Sequence, residues 1–364
     1  IKIARVRAPE YLKYPKLFAS GALPINVVIS PEEQVTEYVL RLIEHPGALQ
    51  VLDFADGRAR LVAVRAYYGG PLVGHELRTL NEHLRGAEAR VAAIYRKGRA
   101  IQPDGHTVIE PDDEVFYVAA AQNIPAVLRE LRRAEKPFRR LIFAGGGNIG
   151  RRLASALEGA YRVKVIERDD EAARMASEQL RHSIVLKGDA TDETLLLEER
   201  IEDADVFCAV TNDDEANILS AMLAKRLGAR KVMALINRPA YVDLVESGSI
   251  DIAISPQQAT IGTLLAHIRR GDVVRVHSLR RGAAEAIEAV AHGDAGSSQV
   301  VGRAIGELKL PPGASIGAIV RGEQVIIAHH DTVIASDDHV ILFLVDKTRI
   351  VEVERLFQVD VTFL

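Results

Sequence analysis

Leu141-Ile142-Phe143-Ala144-Gly145-Gly146-Gly147-Asn148-Ile149-Gly150 is an apolar strand running straight into a glycine-rich turn. The pattern is G-x-G-x-x-G, and each glycine has its own task. Gly145 permits the tight turn, Gly147 lets the backbone approach a pyrophosphate, and Gly150 lets the following helix pack on the strand. The helix expected from Arg151 to Leu157 would turn its N-terminal N–H groups and dipole toward phosphates. A second strand ends in Glu167, 22 residues beyond Gly145, the spacing of an acid that grips adenosine ribose hydroxyls. That carboxylate favours NAD(H) or an adenine nucleotide over NADP. Arg168 beside it is the one feature that would suit a 2′-phosphate.

Outward from the motif, short apolar runs alternate with helical patterns. Arg140–Ala144, Val163–Glu167, Ser183–Leu186, Val206–Thr211 and Val232–Ile236 read as strands, which is the signature of a parallel, doubly wound α/β sheet. Gly188-Asp189-Ala190-Thr191 follows the third strand, and Thr211-Asn212-Asp213-Asp214-Glu215 follows the fourth. Both fall at carboxyl ends of strands, where open α/β sheets hold ligands. Asp189 could face an adenine edge, and Thr211 and Asn212 a ribose or phosphate. Asp213 or Asp214 could equally cap the helix expected from Asn217 to Leu227, and the two roles can coexist.

The chain is also written twice. Ser30-Pro31 and Ser255-Pro256 close similar apolar runs, and Thr107 to Val115 recurs as Thr332 to Val340, each pair at an offset of 225 residues. Four parts result: a Rossmann remnant over 1–47, a small α+β unit over 48–134, a complete Rossmann unit over 138–258 and a second small unit over 272–364. In the remnant, Ile3–Val6 and Ile25–Ile29 read as strands. Pro31–Glu44 reads as a helix with Ser30 as N-cap, stopped by Pro46-Gly47. In the first small unit a hairpin around Asp56-Gly57 is expected, then a polar helix at Leu77–Leu84, strands at Val91–Tyr95 and Val115–Val118, and a helix at Ile124–Arg133. Gly293–Ser298 reads as a Gly/Ser-rich, mobile linker. The first copy has no glycine loop, and the chain opens on Ile1. By analogy with the second copy, about 92 residues, the distance from Arg140 to Val232, are expected to precede Lys2.

Bulk properties set limits. The 364 residues are 48% hydrophobic and 26% charged, as in ordinary globular domains. A net charge of −4, with basic clusters such as Arg132-Arg133, Arg139-Arg140, Arg269-Arg270 and Arg280-Arg281 that are short and interrupted by acids, gives no basic face for nucleic acid. The lone Cys208 lies in an apolar run and reads as a buried, inert thiol, in keeping with a reducing cytoplasm. No apolar stretch reaches the ~18–20 residues of a membrane span. Catalytic signatures are missing. No Tyr has Lys four residues later, no nucleophile elbow occurs, and the histidines lack metal-ligand spacing, with His329-His330 read as a surface pair. Asp112-Asp113 and Asp337-Asp338 sit between predicted strands and read as turns. An NAD-dependent oxidoreductase is the alternative, and it lacks a proton donor. A structural module with a vestigial pocket is a third reading, opposed by Glu167 and the three glycines.

Gly145-Gly146-Gly147-Asn148-Ile149-Gly150, Glu167, Gly188-Asp189-Ala190-Thr191 and Ala209 to Asn217 together resemble the RCK/KTN family, regulators of potassium conductance. The doubled order, with Ser255–Ile261 and Ala283–Asp294, is similar to the cytosolic peripheral subunits of bacterial potassium-uptake systems. The resemblance covers the whole chain and implies RCK-N and RCK-C units. It implies a non-enzymatic gate regulator that binds NAD(H), and in some members ATP or ADP. It further implies a homotetrameric ring on the cytoplasmic face of the inner membrane, held by a membrane potassium translocator of the Trk type. On that resemblance Gly145 to Ile149 meet the pyrophosphate, Glu167 the ribose, and Thr211 and Asn212 line the crevice. Arg5 matches an arginine near the nucleotide of the first Rossmann unit. Aligning Pro9 with Pro239 puts Leu235 opposite Arg5, with Arg238 as the substitute.

Overall fold

Local chemistry sets the first elements. Strands β1 (Ile3–Arg5) and β2 (Val27–Ile29) pair in parallel. Helix α1 (Pro31–Glu44) begins as expected: the Glu33 N–H donates to the Ser30 hydroxyl at 3.4 Å, and Pro31 takes the first helical position. Val35, Val39, Leu42 and Ile43 recur at helical spacing and are buried. The computed structural model describes residues 1–6, 11, 25–84, 87–131, 136–245, 250–268, 272–279 and 282–359. Pro9, the end of the helix expected to Arg133, and the pairs Arg132-Arg133, Arg269-Arg270 and Arg280-Arg281 lie outside those residues.

A first antiparallel set follows: β3 (Ala48–Phe54), β4 (Ala59–Arg65), helical turn α2 (Leu80–His83), β5 (Ala89–Arg96), β6 (Arg99–Ile101), β7 (Glu114–Ala120) and α3 (Ile124–Leu131). The helix expected at Leu77–Leu84 is shorter, because Leu77–Thr79 is a 3-10 turn. Strand β6 was not expected. It pairs with β5 across Lys97 (φ 49) and Gly98 (φ 83), a hairpin turn without the usual Asn-Gly signal.

The middle of the chain holds β8 (Arg140–Ala144), α4 (Asn148–Leu157), β9 (Arg162–Glu167), α5 (Asp170–Gln179), β10 (Ile184–Lys187), α6 (Glu193–Glu198), β11 (Val206–Ala209), α7 (Asp214–Arg226), β12 (Lys231–Leu235), α8 (Pro239–Val245), β13 (Ile252–Ile254) and α9 (Pro256–Ile268). The six strands form one parallel sheet in the order β10-β9-β8-β11-β12-β13, the doubly wound order whose reversal lies between β8 and β11. A second antiparallel set closes the chain: β14 (Val273–Leu279), β15 (Ala284–Val290), β16 (Ala314–Arg321), β17 (Gln324–Ile327), β18 (His339–Leu344) and α10 (Ile350–Leu356). Among the described residues no helix is long and apolar enough to cross a membrane.

Two compact units result, residues 1–46 with 136–260 and residues 47–135 with 261–364. In the first, α1 packs against α4, and Ile142, Leu196, Ile201, Phe207 and Val232 share one buried cluster. Glu158, just past α4, holds the start of β10. Burial raises its pKa, but the N–H groups of Arg181, His182 and Ser183 and the Ser183 hydroxyl all donate to its carboxylate and together bring it from 4.5 down to about 2.

In the second unit the repeat is visible strand by strand. The sheets β3-β4-β7-β5-β6 and β14-β15-β18-β16-β17 have the same order, and matching strands start 225 residues apart. They pack together through Phe54, Leu61, Phe116 and Val118 from one and Ala286, Val320, Ile341 and Phe343 from the other. The paired acids do more than turn the chain. Asp112 (φ 68) and Asp337 (φ 65) take the left-handed turn position. Asp113 and Asp338 are fully buried and accept paired hydrogen bonds from Arg96 (2.8 and 2.9 Å) and Arg321 (2.7 and 2.8 Å). Gly293–Ser298 is a tight turn rather than an open linker: Asp294 accepts the Gly296 and Ser297 N–H groups, and the buried Ser298 hydroxyl accepts those of Val300 and Val301.

Two outcomes are expected. Asp113→Ala or Asp338→Ala removes a buried acceptor from a partly exposed guanidinium and from the Glu110 or Ala335 N–H, and should cost about 2 kcal/mol in urea unfolding, whereas Asp112→Gly should be near neutral. Equal losses at Asp112 and Asp113 would contradict the pairing. The depressed Glu158 carboxyl contributes stability above its unfolded value of 4.5 and loses it as pH falls toward about 2. Acid titration of Glu158→Gln should therefore show a shallower stability loss over that window, and an unchanged slope would count against the clamp.

Candidate functional site

The glycine loop sits where β8 ends at the reversal of strand order. Gly145 has φ 110, and its N–H donates to Ile166 O at 2.8 Å. A Cβ there would stand 3.1 Å from the Val210 carbonyl and the Thr211 nitrogen. Helix α4 begins at Asn148, earlier than expected, with Gly147 as its N-cap and no side chain satisfying its first N–H groups. Gly150 explains how the helix comes so near the strand: a Cβ on it would lie 1.9 Å from Gly145 O. Gly147 is the opposite case, exposed and with nothing within 4 Å of a Cβ position. An N-terminal helix turn therefore faces open space across bare backbone, the arrangement that accepts a phosphate.

Glu167 ends β9 beside this loop. Its carboxylate accepts the Gly146 N–H at 2.6 Å and the Asp169 N–H at 2.9 Å. Asp189 accepts the N–H (2.8 Å) and hydroxyl (2.7 Å) of Thr191, which lower its pKa, and Arg168 reaches it at 4.0 Å. Gly146, Glu167, Arg168 and Asp189 thus form one connected rim, with Ala190 next in line.

The other wall is organised by a residue the sequence reading did not single out. Asn217 is fully buried on α7. Its side-chain oxygen accepts the Thr211 N–H (2.9 Å) and hydroxyl (2.7 Å), and its nitrogen donates to Thr211 O (3.0 Å) and Leu235 O (2.9 Å). Because Asn217 takes the Thr211 N–H, β11 stops at Ala209 instead of running to Thr211. Helix α7 starts at Asp214, not Asn217, because the Asp213 carboxylate caps it by accepting the Ala216 N–H at 3.0 Å. Asp214 turns inward. Burial raises its pKa, but the Asn237 and Arg238 N–H groups and the Asn237 amide more than offset that and hold it low. Asn212 and Glu215 stay exposed. Arg238 pairs with Glu215 at 2.7 Å and donates to the Tyr241 hydroxyl at 2.8 Å. A polar residue on the helix face shared by Ser220, Ala221 and Ala224 was the available signal for Asn217. Arg5 lies on the two-stranded sheet of β1 and β2 and is exposed, with no described contact to the glycine loop.

No metal-holding group of His, Cys, Asp or Glu occurs among the described residues, and His329 and His330 are exposed. Cys208 is buried in β11, which pushes its thiol up to about 12.

The family model of the TrkA-N domain matches residues 141–256, and that of the TrkA-C domain matches 61–132 and 294–358. The chain is 64% identical over 362 residues to the Trk system potassium uptake protein TrkA of Halomonas elongata, covering 100% of this chain and 79% of that protein. This chain belongs to the TrkA family. The TrkA of Vibrio alginolyticus is 61% identical over 364 residues, covering 100% and 80%. Among solved structures, the GsuK RCK domain is similar at a TM-score of 0.53 and 19% identity, covering 98% of this chain and 74% of that one. The GsuK channel bound to NAD is similar at 0.52 and 19%, covering 98% and 62%. At that identity the likeness shows the fold, an RCK-type architecture. The glycine loop and both walls of the crevice lie inside the TrkA-N match, and the two antiparallel sheets carry the TrkA-C matches.

The glycines of this TrkA-family chain should separate in a stability measurement. Gly150→Ala is expected to lose about 3 kcal/mol by overpacking helix against strand, and Gly147→Ala no more than about 1 kcal/mol, the cost of a poorer N-cap. Similar urea midpoints for the two would rule out the close approach.

Proposed function

We propose that this chain is a nucleotide-sensing regulatory subunit, not an enzyme, that gates a membrane potassium translocator of the Trk type. The single observation that carries the ligand reading is the bare helix start at Gly147, open to solvent, with Glu167 held one strand away. In this reading the backbone of Gly145 to Ile149 receives the pyrophosphate of NAD(H) or of ATP or ADP. Glu167 takes the ribose hydroxyls, which its bond to Gly146 already aims across the loop. Asp189 and Ala190 flank the adenine, and Thr211 and Asn212 form the opposite wall. Asp213, Glu215 and Arg238 close the far end. The names of the relatives, Trk system potassium uptake proteins, support the potassium role. A homotetrameric ring on the cytoplasmic face of the membrane is the assembly this reading takes, with Arg5 belonging to a second nucleotide site.

The bound nucleotide would supply free energy that differs between two arrangements of the assembly, and only such a difference can shift a gate. The chain's own part is to hold the loop and both walls in place before the ligand arrives.

Thermal melting with NADH, NAD, ATP and ADP tests the site. At a hundred times its Kd the favoured nucleotide should stabilise the fold by about 2.7 kcal/mol. Gly147→Asp puts a carboxylate at the helix N-cap, where it favours the helix but repels a phosphate. The variant should melt no lower than the parent and lose the ligand shift. If no nucleotide raises the Tm, or if Gly147→Asp keeps the full shift, the site assignment is wrong.

A further inference from the structure

The amino ends of β8, β9 and β10 carry a cavity, at the other end of the strands from the glycine loop. Its cause is the short crossover. Ile142, Lys164 and Ile184 stand side by side in register across the three strands, so they share one face of the sheet. Ile142 faces the cluster that contains Leu196 of α6. Helix α6 has only six residues, about 9 Å of cover. It covers the carboxyl half of the strands, where Leu195 packs against Gly188. Over the amino half, a cavity of about 610 Å³ remains, bordered by Ile142, Tyr161, Arg162, His182, Ile184 and Arg200. Ile184 is 54% exposed, high for an isoleucine in a strand.

The charges around it do not balance. Every acid in the wall is engaged. Glu158 takes four donors from Arg181, His182 and Ser183, Glu199 pairs with Lys164 at 2.7 Å, and Asp203 pairs with Arg140 at 2.7 Å and Arg200 at 2.8 Å. The Arg162 guanidinium and the His182 ring have no partner among the described residues. Arg162 stands in register with Arg140, so a cationic row lies beside the row of Ile142, Lys164 and Ile184, in which Lys164 is neutralised by Glu199.

We propose that this cavity is a second ligand site, for a small organic anion with an apolar body. The anionic head would sit at Arg162 and His182, and the ring or chain over Ile142 and Ile184. The volume suits a ligand of that size. Ile142, the cavity residue of β8 nearest the glycine loop, lies three residues before Gly145, so about 10 Å separates the two and they do not share a ligand. This inference does not rest on the nucleotide reading.

The probe is 8-anilinonaphthalene-1-sulfonate, an aromatic anion whose fluorescence rises in apolar sites, used on the full chain. One saturable site per chain is expected, with a Kd unchanged by saturating NADH. Arg162→Glu and Ile184→Asp alter exposed side chains and should each weaken binding at least tenfold at an unchanged Tm. Displacement of the dye by decanoate would assign the body as a lipid-like chain, and displacement by indole-3-acetate as a ring, each supporting the site. Dye binding indifferent to both substitutions, displaced by NADH, or lost instead in Leu219→Asp on α7 would overturn it.

Discussion

The contact on which the site depends is the approach of α4 to the end of β8, with Gly150 against the carbonyl of Gly145. One methyl group there would force the helix outward, and the N-terminal turn would no longer face the loop. The same approach brings Gly146 within hydrogen-bond reach of Glu167 and sets Gly145 against Val210 and Thr211. Backbone from three strands is thereby fixed around one opening. A helix start aimed at open space is useful to an anion only when its position is set by such packing, since its field falls off within about one turn.

What the sequence made legible is what short-range rules govern. The Ser30 cap, the tight turn at Gly145 and the close helix packing at Gly150 each depend on a few neighbouring residues, and the structure has all three as read. The parallel sheet followed from alternating apolar runs, whereas the strand order came only with the structure. Long-range partners were not legible. Asn217 reaches Leu235, Asp214 reaches Asn237 and Arg238, and Asp113 meets Arg96, at separations of 17 to 24 residues. In each case a buried polar group finds a partner on another element, and local sequence carries no mark of that partner. The acids at Asp112-Asp113 read as a turn for a sound reason. The first of the pair does make the turn, and only burial distinguishes the second.

The 225-residue repeat is preserved most closely where backbone geometry demands it. Strand starts, bulges, the left-handed aspartates and the buried Arg–Asp pairs all recur. It diverges where the two sheets meet. Glu288 accepts the Ala55 N–H of the other repeat at 2.9 Å and contacts His339 at 2.6 Å. The positions equivalent to Glu288 and His339 in the first repeat are Ala63 and Glu114. Identical halves facing each other would repeat the same side chains across the interface, whereas this pair meets as one acid and its partners.

That divergence ties the two small units to each other. The turn after β3 holds two non-glycine residues in left-handed conformation, Ala55 (φ 46) and Asp56 (φ 54), which is costly backbone without outside support. Support comes from the second repeat through Glu288 on Ala55 and through His277, whose ring meets Asp53 O at 3.0 Å and Phe54 edge-on. Burial takes the His277 ring down to about 4, so it stays neutral at physiological pH and adds no charge to the interface. Either half alone would expose an apolar sheet face and, in the second, leave Glu288 without its partner in the other repeat. The two small units are therefore ordered relative to each other by a shared apolar core and by polar contacts that only one copy supplies.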